Sequence, residues 1–358
     1  MKSKSSYGIR SIDVARLAGV SRSAVSRAFT EGAYIADETR EKVLKASEQL
    51  GYSPNAIARG LITRRSRMVG VVVADLSNPF YAGVLEATCL KLQQHGLAPL
   101  LLSCRHSQDL DSLIPQLLAY QVDGVLIAAS TLSSTIATQC ARAGRPVVLI
   151  NRYVSYDAVS AVTCDNVGGG RAVADRLVAG GHRRIAFLAG LEDTSSSRDR
   201  EKGFVGRLGE LGIALHARDV GNYAYEGATA AVRRLLSKRP RPDAIFCAND
   251  TMAIAAIDVA RNEFGLELPR DLSIAGYDNI DAASWQGYDL TSVDQNLDRM
   301  VATAIDLLLR LRDDPGSRPQ HVQVPARLEV RGSTRAVPPA KSVRRLTKLR
   351  GAGGSRAA

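Results

Sequence analysis

The chain has 358 residues, 45% of them hydrophobic, so it can form two or three domains with buried cores, and a small disordered peptide is excluded. Its net charge of +11 favours a polyanionic partner. The N-terminus MKSKSSYGIR is polar and no run of eighteen apolar residues exists, so we expect a cytoplasmic protein with neither a signal peptide nor a membrane span.

The positive charge is concentrated at the two ends of the chain. Residues 1–67 contain 13 Lys and Arg against 6 Asp and Glu, and residues 338–358 contain 6 against none. Residues 68–337 contain 28 against 30 and are therefore close to neutral. This asymmetry predicts a nucleic-acid-binding head in front of a body with a different role.

Two short helices are predicted within the stretch SIDVARLAGVSRSAVSRAF, residues 11–29. Ser11 is the predicted N-cap of the first helix, Gly19 is its predicted left-handed end, and Ser21 is the predicted N-cap of the second. A turn this short makes the helices cross steeply, as in a helix-turn-helix. An ordinary helical hairpin with a solvated basic face is the alternative. In the first interpretation, four short polar or cationic side chains of the second helix face DNA: Arg22, Ser23, Ser26 and Arg27.

A third helix is predicted to begin with Asp37 as its N-cap and to end at Gly51. Val43, Ala46 and Leu50 lie at helical spacing on one of its faces, so the three helices can share a small core. They would form one compact unit.

The next stretch, SPNAIARGL, begins with a Ser that can cap a helix and a Pro suited to the first helical position. It is too short to be a stable helix in isolation. It is either a plain linker or a segment that orders only against DNA, where Leu61 would insert into the minor groove.

The stretches DVARLAGVSRSAVSRAF and TREKVLKASEQLGYSPNAIARGL resemble the LacI/GalR family of bacterial transcription regulators. The resemblance implies that the second helix reads an operator half-site in the major groove and that residues 55–61 are the family's hinge helix. Arg22 and Ser23 match the main base-reading positions, and Leu61 matches the leucine lever. The predicted DNA contacts are Ser11, Arg22, Ser23, Ser26, Arg27, Asn55, Ala58 and Leu61.

Eight short apolar runs alternate with helical stretches in the body. Uninterrupted apolar runs fit parallel strands that are buried on both faces and joined by right-handed crossover helices. They form two series, which predicts an α/β protein with two lobes and a ligand site at the carboxyl ends of the strands. The runs are 69–74, 98–103, 123–129 and 145–151 in the first series, and 159–166, 183–190, 242–249 and 272–278 in the second.

Polar residues follow several of these strands, and aromatic residues lie near them in the sequence. Carboxylate, amide and guanidinium groups beside aromatic rings suit a small polyhydroxylated ligand. For Asp250 and Asn166, capping of the next helix is at least as good an explanation. The remaining candidates are Asp75, Asn78, Phe80, Tyr81, Asn151, Arg152, Tyr223, Asn249, Asp278 and Asn279.

The resemblance continues through the body in the stretches NPFYAGV, CDNVGGGRAVADRLVAGGHRRIAFLAG, SRDREKGF, CANDTMAIAAI, SIAGYDN and LTSVDQN. It implies a periplasmic-binding-protein-like, Rossmann-type core whose two lobes are joined by three crossovers and close on a sugar-like effector. By position, Arg200 matches the arginine that grips the ligand, and Asp278 matches the carboxylate that holds sugar hydroxyls. The other positions implied to contact the effector are Phe80, Tyr81, Asn151, Tyr223, Asn249 and Gln295.

Two positions depart from the family pattern. Many relatives carry aspartate where this chain has Asn151, which changes the donors and acceptors offered to a ligand. Trp285 lies in a stretch that lacks the usual proline, and it either lines the mouth of the cleft or plugs the lobe. The identity of the effector is therefore left open.

The predicted domain limits follow from these motifs. The helix-turn-helix head covers residues 1–53, and the hinge helix with its linker covers 54–67. The regulatory and dimerisation domain covers 68–336, and a disordered basic tail covers 337–358. The first lobe takes residues from about 68–163 and 294–321, and the second from about 164–293 and 322–336.

The sequence contains no recognisable catalytic or metal-binding pattern. The triplet at 168–170 is not a phosphate-binding loop, the histidines are scattered, and no G-x-S-x-G or C-x-x-C stretch occurs. We expect a regulator without catalytic activity, cofactor or metal. A homodimer is preferred to a tetramer, because three apolar tail residues cannot sustain a coiled coil. The rival interpretation is a cytosolic sugar sensor or enzyme whose basic head docks elsewhere.

Overall fold

The structure is a computed structural model. It describes residues 9–30, 32–53, 65–104, 110–128, 139–140, 142–154 and 159–337. The predicted hinge contacts Asn55, Ala58 and Leu61 lie outside the described residues, and so does nearly all of the predicted tail.

The head contains three helices: α1 (Ser11–Ala18), α2 (Arg22–Ala28) and α3 (Asp37–Leu50). Each helix contributes small apolar residues to one shared core, so none of the three is stable without the other two. The buried members of this core are Val14, Ala15, Val25, Ala28, Val43 and Ala46.

Two of the predicted helix starts are one residue out of place. α1 begins at Ser11 itself and its cap is Arg10, whose backbone N–H donates to the Asp13 carboxylate over 3.0 Å. Likewise, Asp37 is the first residue of α3 rather than its cap. Asp37 was taken for a cap although it is an acidic first-turn residue that complements the helix dipole, and Ser11 was taken for a cap because serine is a preferred cap residue.

The other predicted ends of the head helices are confirmed. Ser21 caps α2, and its Oγ accepts a hydrogen bond from the backbone N–H of Ala24 over 3.2 Å. Gly19 and Gly51 end α1 and α3 with φ angles of 67° and 64°, a left-handed conformation that glycine adopts without steric cost.

The first lobe is built on a parallel sheet with the order β11-β5-β4-β3-β1-β2. Helices α4 (Pro79–Gln94), α5 (Leu110–Ala119) and α10 (Leu297–Asp313) belong to the same lobe. Its strands are β1 (Met68–Ala74), β2 (Ala98–Cys104), β3 (Gly124–Ala128), β4 (Val147–Ile150), β5 (Ser160–Cys164) and β11 (His321–Val324).

The second lobe is built on a sheet with the order β12-β10-β9-β8-β6-β7, parallel except for β12. Helices α6 (Asn166–Ala179), α7 (Ser195–Glu210), α8 (Tyr225–Ser237) and α9 (Asp250–Asn262) cover it. Its strands are β6 (Ile185–Ala189), β7 (Ala217–Val220), β8 (Ala244–Cys247), β9 (Ser273–Asp278), β10 (Thr291–Asp294) and β12 (Arg327–Glu329).

The chain crosses between the lobes after β5, after β10 and after β11. β5 pairs with β4 and so belongs to the first sheet, although its apolar run was grouped with the second series. The last crossover follows Val324, whereas the sequence analysis placed it at about 321–322. In both cases the strand lies next to a crossover, so the strands before and after it in the sequence belong to different sheets.

No helix among the described residues is long and apolar enough to cross a membrane.

Candidate functional site

A cleft lies between the two lobes, at the carboxyl ends of the strands. It encloses about 480 Å³, counting open solvent at its mouth. Seven of the eight residues proposed to contact an effector line it: Phe80, Tyr81, Asn151, Arg200, Tyr223, Asn249 and Asp278. The eighth, Gln295, is fully buried behind Asp278.

Arg200 and Asp278 form a buried ion pair on the second lobe. Their side chains are 2% and 5% exposed, and Nη1 of Arg200 lies 3.2 Å from Oδ1 of Asp278. Nη1 also donates to the Ala248 carbonyl over 2.6 Å, and Nε donates to Oδ1 of Asn166 over 2.9 Å. The guanidinium lies 3.7 Å from the centre of the Tyr277 ring, a cation–π contact. These contacts hold Arg200 in a single conformation.

The pKa values of the pair follow from its burial. Burial opposes the charge of Arg200, but Asp278 together with Tyr223, Tyr277 and Cys164 outweighs it, and the pKa of the guanidinium is raised. Burial also raises the pKa of Asp278 to about 6, against the opposing effect of Arg200. Above this pKa, Asp278 is a carboxylate and hence a strong hydrogen-bond acceptor.

Gln295 restricts how Asp278 can meet a ligand. Its Nε2 donates to Oδ1 of Asp278 over 2.6 Å, and the same oxygen faces Arg200. Oδ2 is therefore the oxygen of Asp278 that is left to accept a hydrogen bond from a bound molecule. Gln295 acts on the cleft through Asp278 rather than by lining it.

Two amide side chains that line the cleft carry buried polar atoms without a hydrogen-bond partner in the described part of the chain. Asn249 caps α9, and its Oδ1 accepts from the backbone N–H of Met252 over 3.0 Å, so its unpartnered Nδ2 is a donor in the cleft wall. Oδ1 of Asn151, on the first lobe, is also unpartnered. Buried polar atoms are costly unless they are paired, so both atoms point to a polar ligand.

Five lining residues have positive φ angles: 58° at Asp75, 73° at Asn151, 55° at Asn222, 61° at Tyr223 and 113° at Asp278. Such angles strain residues other than glycine, and strain of this kind is concentrated at functional sites. Each of these residues directly follows or lies near the end of a strand, where the chain turns to present its side chain to the cleft.

Aromatic rings form the apolar part of the cleft. Phe80 and Tyr81 begin α4 and meet edge to face, with their ring centres 5.4 Å apart. The Tyr223 ring lies against the Gly190 backbone so closely that a side chain at Gly190 would collide with it. Arg152 donates to the Tyr81 hydroxyl over 3.2 Å and lies 5.9 Å from the centre of the Tyr223 ring. It thereby connects aromatic groups of the two lobes.

Gly170, the last glycine of the triplet 168–170, serves helix packing. A side chain at Gly170 would collide with the backbone carbonyl of Arg200, and one at Gly203 would collide with that of Val167. Glycine at these positions lets α6 and α7 approach closely. Their contact fixes the position from which Arg200 reaches the cleft.

In the head, α2 presents its predicted reading face to solvent. Arg22, Ser23, Ser26 and Arg27 are all exposed, whereas Val25 is buried in the core of the head. Arg27 donates from Nε to the Ser23 carbonyl over 3.4 Å. The helix contains no acidic residue, so its exposed side carries only cationic and short polar groups. Ser11 is half-buried at the start of α1.

Models of two known protein families match the head and the two-lobed body of the molecule. The model of the bacterial regulatory proteins of the lacI family matches residues 12–55, and that of the periplasmic binding protein-like domain matches residues 174–334. The HTH-type transcriptional regulator CelR of Thermobifida fusca is 34% identical over 329 residues, which cover 89% of this chain and 96% of that protein. The chain belongs to the LacI family.

Solved structures of LacI-family proteins have the same fold. The complex of CelR with cellobiose is 32% identical with a TM-score of 0.70, and the alignment covers 91% of this chain and 99% of that one. The lac repressor dimer bound to operator and an anti-inducer is 27% identical with a TM-score of 0.83, covering 92% and 100%. The predicted fold class and family are confirmed, and the chain is a DNA-binding transcription regulator.

The LacI-family cleft contains residues that were not predicted from the sequence. Leu191, Ser196 and Asn222 line it beside the predicted residues. Asn222 and Tyr223 follow β7, whose sequence ARDV is too short and polar to be recognised as a strand. Ser196 lies in the first turn of α7, the helix that follows β6, and a search of the helix starts that follow strands could have found it.

The structure shows the positions of two residues, Asp250 and Trp285, whose roles the sequence left open. Asp250 does not cap α9, because Asn249 does; it is a buried carboxyl group that accepts from the Ser292 hydroxyl and the Ile280 backbone N–H. Trp285 is 60% exposed, so it does not plug the lobe, and it is not among the residues that line the cleft.

Proposed function

We propose that this LacI-family regulator is a homodimeric repressor whose operator affinity depends on a sugar-like effector in the interlobe cleft. One observation supports this most strongly. A single chain combines an exposed, cationic α2 with a cleft in which buried hydrogen-bond groups from both lobes lack partners among the described residues. We further propose that it acts in the cytoplasm, without enzymatic activity, cofactor or metal.

In the proposed head, α2 enters the major groove. Arg22 and Ser23 lie in its first turn and contact base edges, while Ser26 and Arg27 contact bases or phosphates. The domain limits remain as stated above, with a head of residues 1–53 and a hinge of 54–67. Two heads in a dimer bind half-sites about one helical turn of DNA apart, or a multiple of it.

In the proposed cleft, a ligand hydroxyl donates to Oδ2 of Asp278, and a neighbouring ligand oxygen accepts from Nδ2 of Asn249. The rings of Phe80, Tyr81 and Tyr223 contact the apolar face of the ligand. A saccharide has both features, since its vicinal hydroxyls donate and accept while its ring carbons form an apolar face. The cellobiose in the CelR complex supports a saccharide as the effector class.

The described residues also suggest how the cleft communicates with the head. The buried carboxylate of Asp123 accepts from the backbone N–H groups of Ser66 and Arg67 and from the Ser66 hydroxyl, over 2.9–3.1 Å. These residues are the last two of the proposed hinge and linker segment, 54–67. Asp123 therefore fixes the end of the linker to the first lobe, so a rotation of that lobe is transmitted to the hinge.

A thermal-shift screen of the purified protein against saccharides and nucleosides tests the cleft. A ligand that binds only the folded state raises the melting temperature by mass action. We expect at least one saccharide to do so for wild type and not for Asp278→Ala. If only nucleosides stabilise the protein, the proposed effector class is wrong.

Selection of binding sites from a random duplex library tests the head and excludes the rival interpretation. A regulator enriches a pseudo-palindrome and loses affinity for it steeply as salt rises. A sugar sensor or enzyme whose head docks elsewhere enriches no sequence.

A further inference from the structure

Tyr153 spans the two lobes at a point outside the residues that line the cleft. It follows β4 in the first lobe, and its two polar groups both reach α7 of the second lobe. The backbone N–H donates to Oγ of Ser195 over 3.1 Å, and the phenol donates to Oδ1 of Asp199 over 3.2 Å. One residue thus makes two hydrogen bonds that exist only while the lobes lie together.

The first lobe holds the Tyr153 side chain in place for these contacts. Its ring stacks on the His321 ring at a centre-to-centre distance of 4.6 Å. His321 is in turn hydrogen-bonded through Nε2 to the Thr163 hydroxyl over 2.9 Å. Burial, together with the charge of Asp199, raises the pKa of Tyr153, so its hydroxyl stays protonated and donates at neutral pH.

The second lobe presents the acceptors from a rigid part of the site. Ser195 is buried at the start of α7, and Asp199 directly precedes Arg200, the residue that holds Asp278. A contact made to Asp199 is therefore fixed relative to the ligand-facing groups, although it touches none of them.

We propose that Tyr153 is a positioning residue that holds the cleft closed through an interlobe latch, defined as Tyr153 with Ser195 and Asp199. This rests on the proposed function, in which closure around an effector controls the head. The latch contributes to effector affinity without contacting the effector, because it stabilises the state in which the cleft is complete.

The size of the effect follows from the chemistry of the bond between the phenol and the carboxylate. A hydrogen bond to a charged group stabilises the state that contains it more than a neutral one does. Loss of the Tyr153 hydroxyl should therefore increase the population of open lobes about tenfold. The ring and its stacking on His321 remain in Tyr153→Phe, so the first lobe keeps its packing.

The chain offers a matched control for this substitution. The Tyr225 hydroxyl donates to Oδ2 of Asp258 over 2.8 Å, and both of these residues belong to the second lobe. Tyr225→Phe therefore removes the same kind of bond without affecting lobe closure.

Hydrogen exchange of the full chain, followed by mass spectrometry without added ligand, tests the latch. The informative peptide contains Tyr153, whose amide is protected by Ser195 across the cleft. We expect its exchange to be about tenfold faster in Tyr153→Phe than in wild type, and unchanged in Tyr225→Phe. Equal protection in wild type and Tyr153→Phe, or equal acceleration in both variants, would overturn the proposal.

Rescue at Asp199 separates a latch from a local packing effect. Asp199→Asn keeps an oxygen that accepts from Tyr153, so the Tyr153 amide should retain most of its protection, whereas Asp199→Ala should match Tyr153→Phe. If Asn and Ala have the same effect, the hydrogen bond does not hold the lobes. Because no effector enters this experiment, a failed saccharide screen would contradict the proposed function and leave this result standing.

Discussion

Removal of the Asp278 carboxylate would leave the Arg200 guanidinium buried without its counter-ion. The two groups are 3.2 Å apart and almost fully buried. At an effective dielectric constant of about 20, unit charges at this distance attract by about 5 kcal/mol. Breaking a buried ion pair from one side typically costs about 3–5 kcal/mol. We expect Asp278→Ala to lower the free energy of unfolding by about that amount at pH 7.5, where Asp278 is ionised in wild type.

Urea unfolding monitored by circular dichroism measures this loss, and two further variants test its cause. Glu263→Gln breaks an exposed ion pair with Arg233 and should leave the midpoint unchanged. The double variant Arg200→Met with Asp278→Leu removes both charges and should be more stable than Asp278→Ala alone. A midpoint for Asp278→Ala equal to that of Glu263→Gln, or a double variant less stable than the single one, would refute the reasoning.

Three further predictions concern the head, the linker and a buried acid. Arg22→Ala combined with Ser23→Ala should weaken binding to a selected operator tenfold or more, as measured by fluorescence anisotropy, because each base contact contributes about 1–3 kcal/mol to the binding free energy. The control Arg16→Ala removes the same charge outside α2 and should keep the preference for the operator sequence. Asp123→Ala should leave the saccharide affinity measured by calorimetry unchanged and reduce the effect of saccharide on operator affinity. An undiminished effect would contradict the proposal that Asp123 fixes the end of the linker to the first lobe. Burial raises the pKa of Asp250 to about 8, well above its value in the unfolded chain. The contribution of Asp250 to the free energy of unfolding is therefore present at low pH, and it falls by about 1.4 kcal/mol per pH unit between about pH 4 and 8. Asp250→Asn removes this loss, so its unfolding free energy should rise relative to wild type from pH 5 to pH 8, and parallel pH profiles would rule out the assignment.

The sequence predicted features that depend on local chemistry. Gly19, Gly51 and Ser21 were placed correctly, because a left-handed helix end or a capping hydroxyl is specified by the residue itself. The helix starts at Ser11 and Asp37 were one residue out, since serine and aspartate are common both as caps and in the first helical turn.

The cleft could be predicted in outline because the carboxyl ends of parallel strands share one edge of a sheet. Phe80 and Asp278 were found in this way. Asn222 was missed because it follows a strand without an apolar pattern, and Gln295 was taken for a lining residue because its place behind Asp278 depends on the pairing of β10 with β9.

The contacts of Tyr153 had no signal in the sequence. A tyrosine and an aspartate 46 positions apart form a pair only once two lobes have closed on each other. Pairings of this kind depend on tertiary geometry, which residue types and their spacing do not specify.

The central claim is that occupation of the cleft controls the affinity of the head for its operator. The most direct measurement determines the operator dissociation constant with and without a saturating saccharide, and the saccharide dissociation constant with and without operator. We expect both constants to change by the same factor, about fivefold or more, because coupling between two sites is reciprocal. A saccharide that binds the cleft while leaving the operator dissociation constant unchanged would contradict the claim.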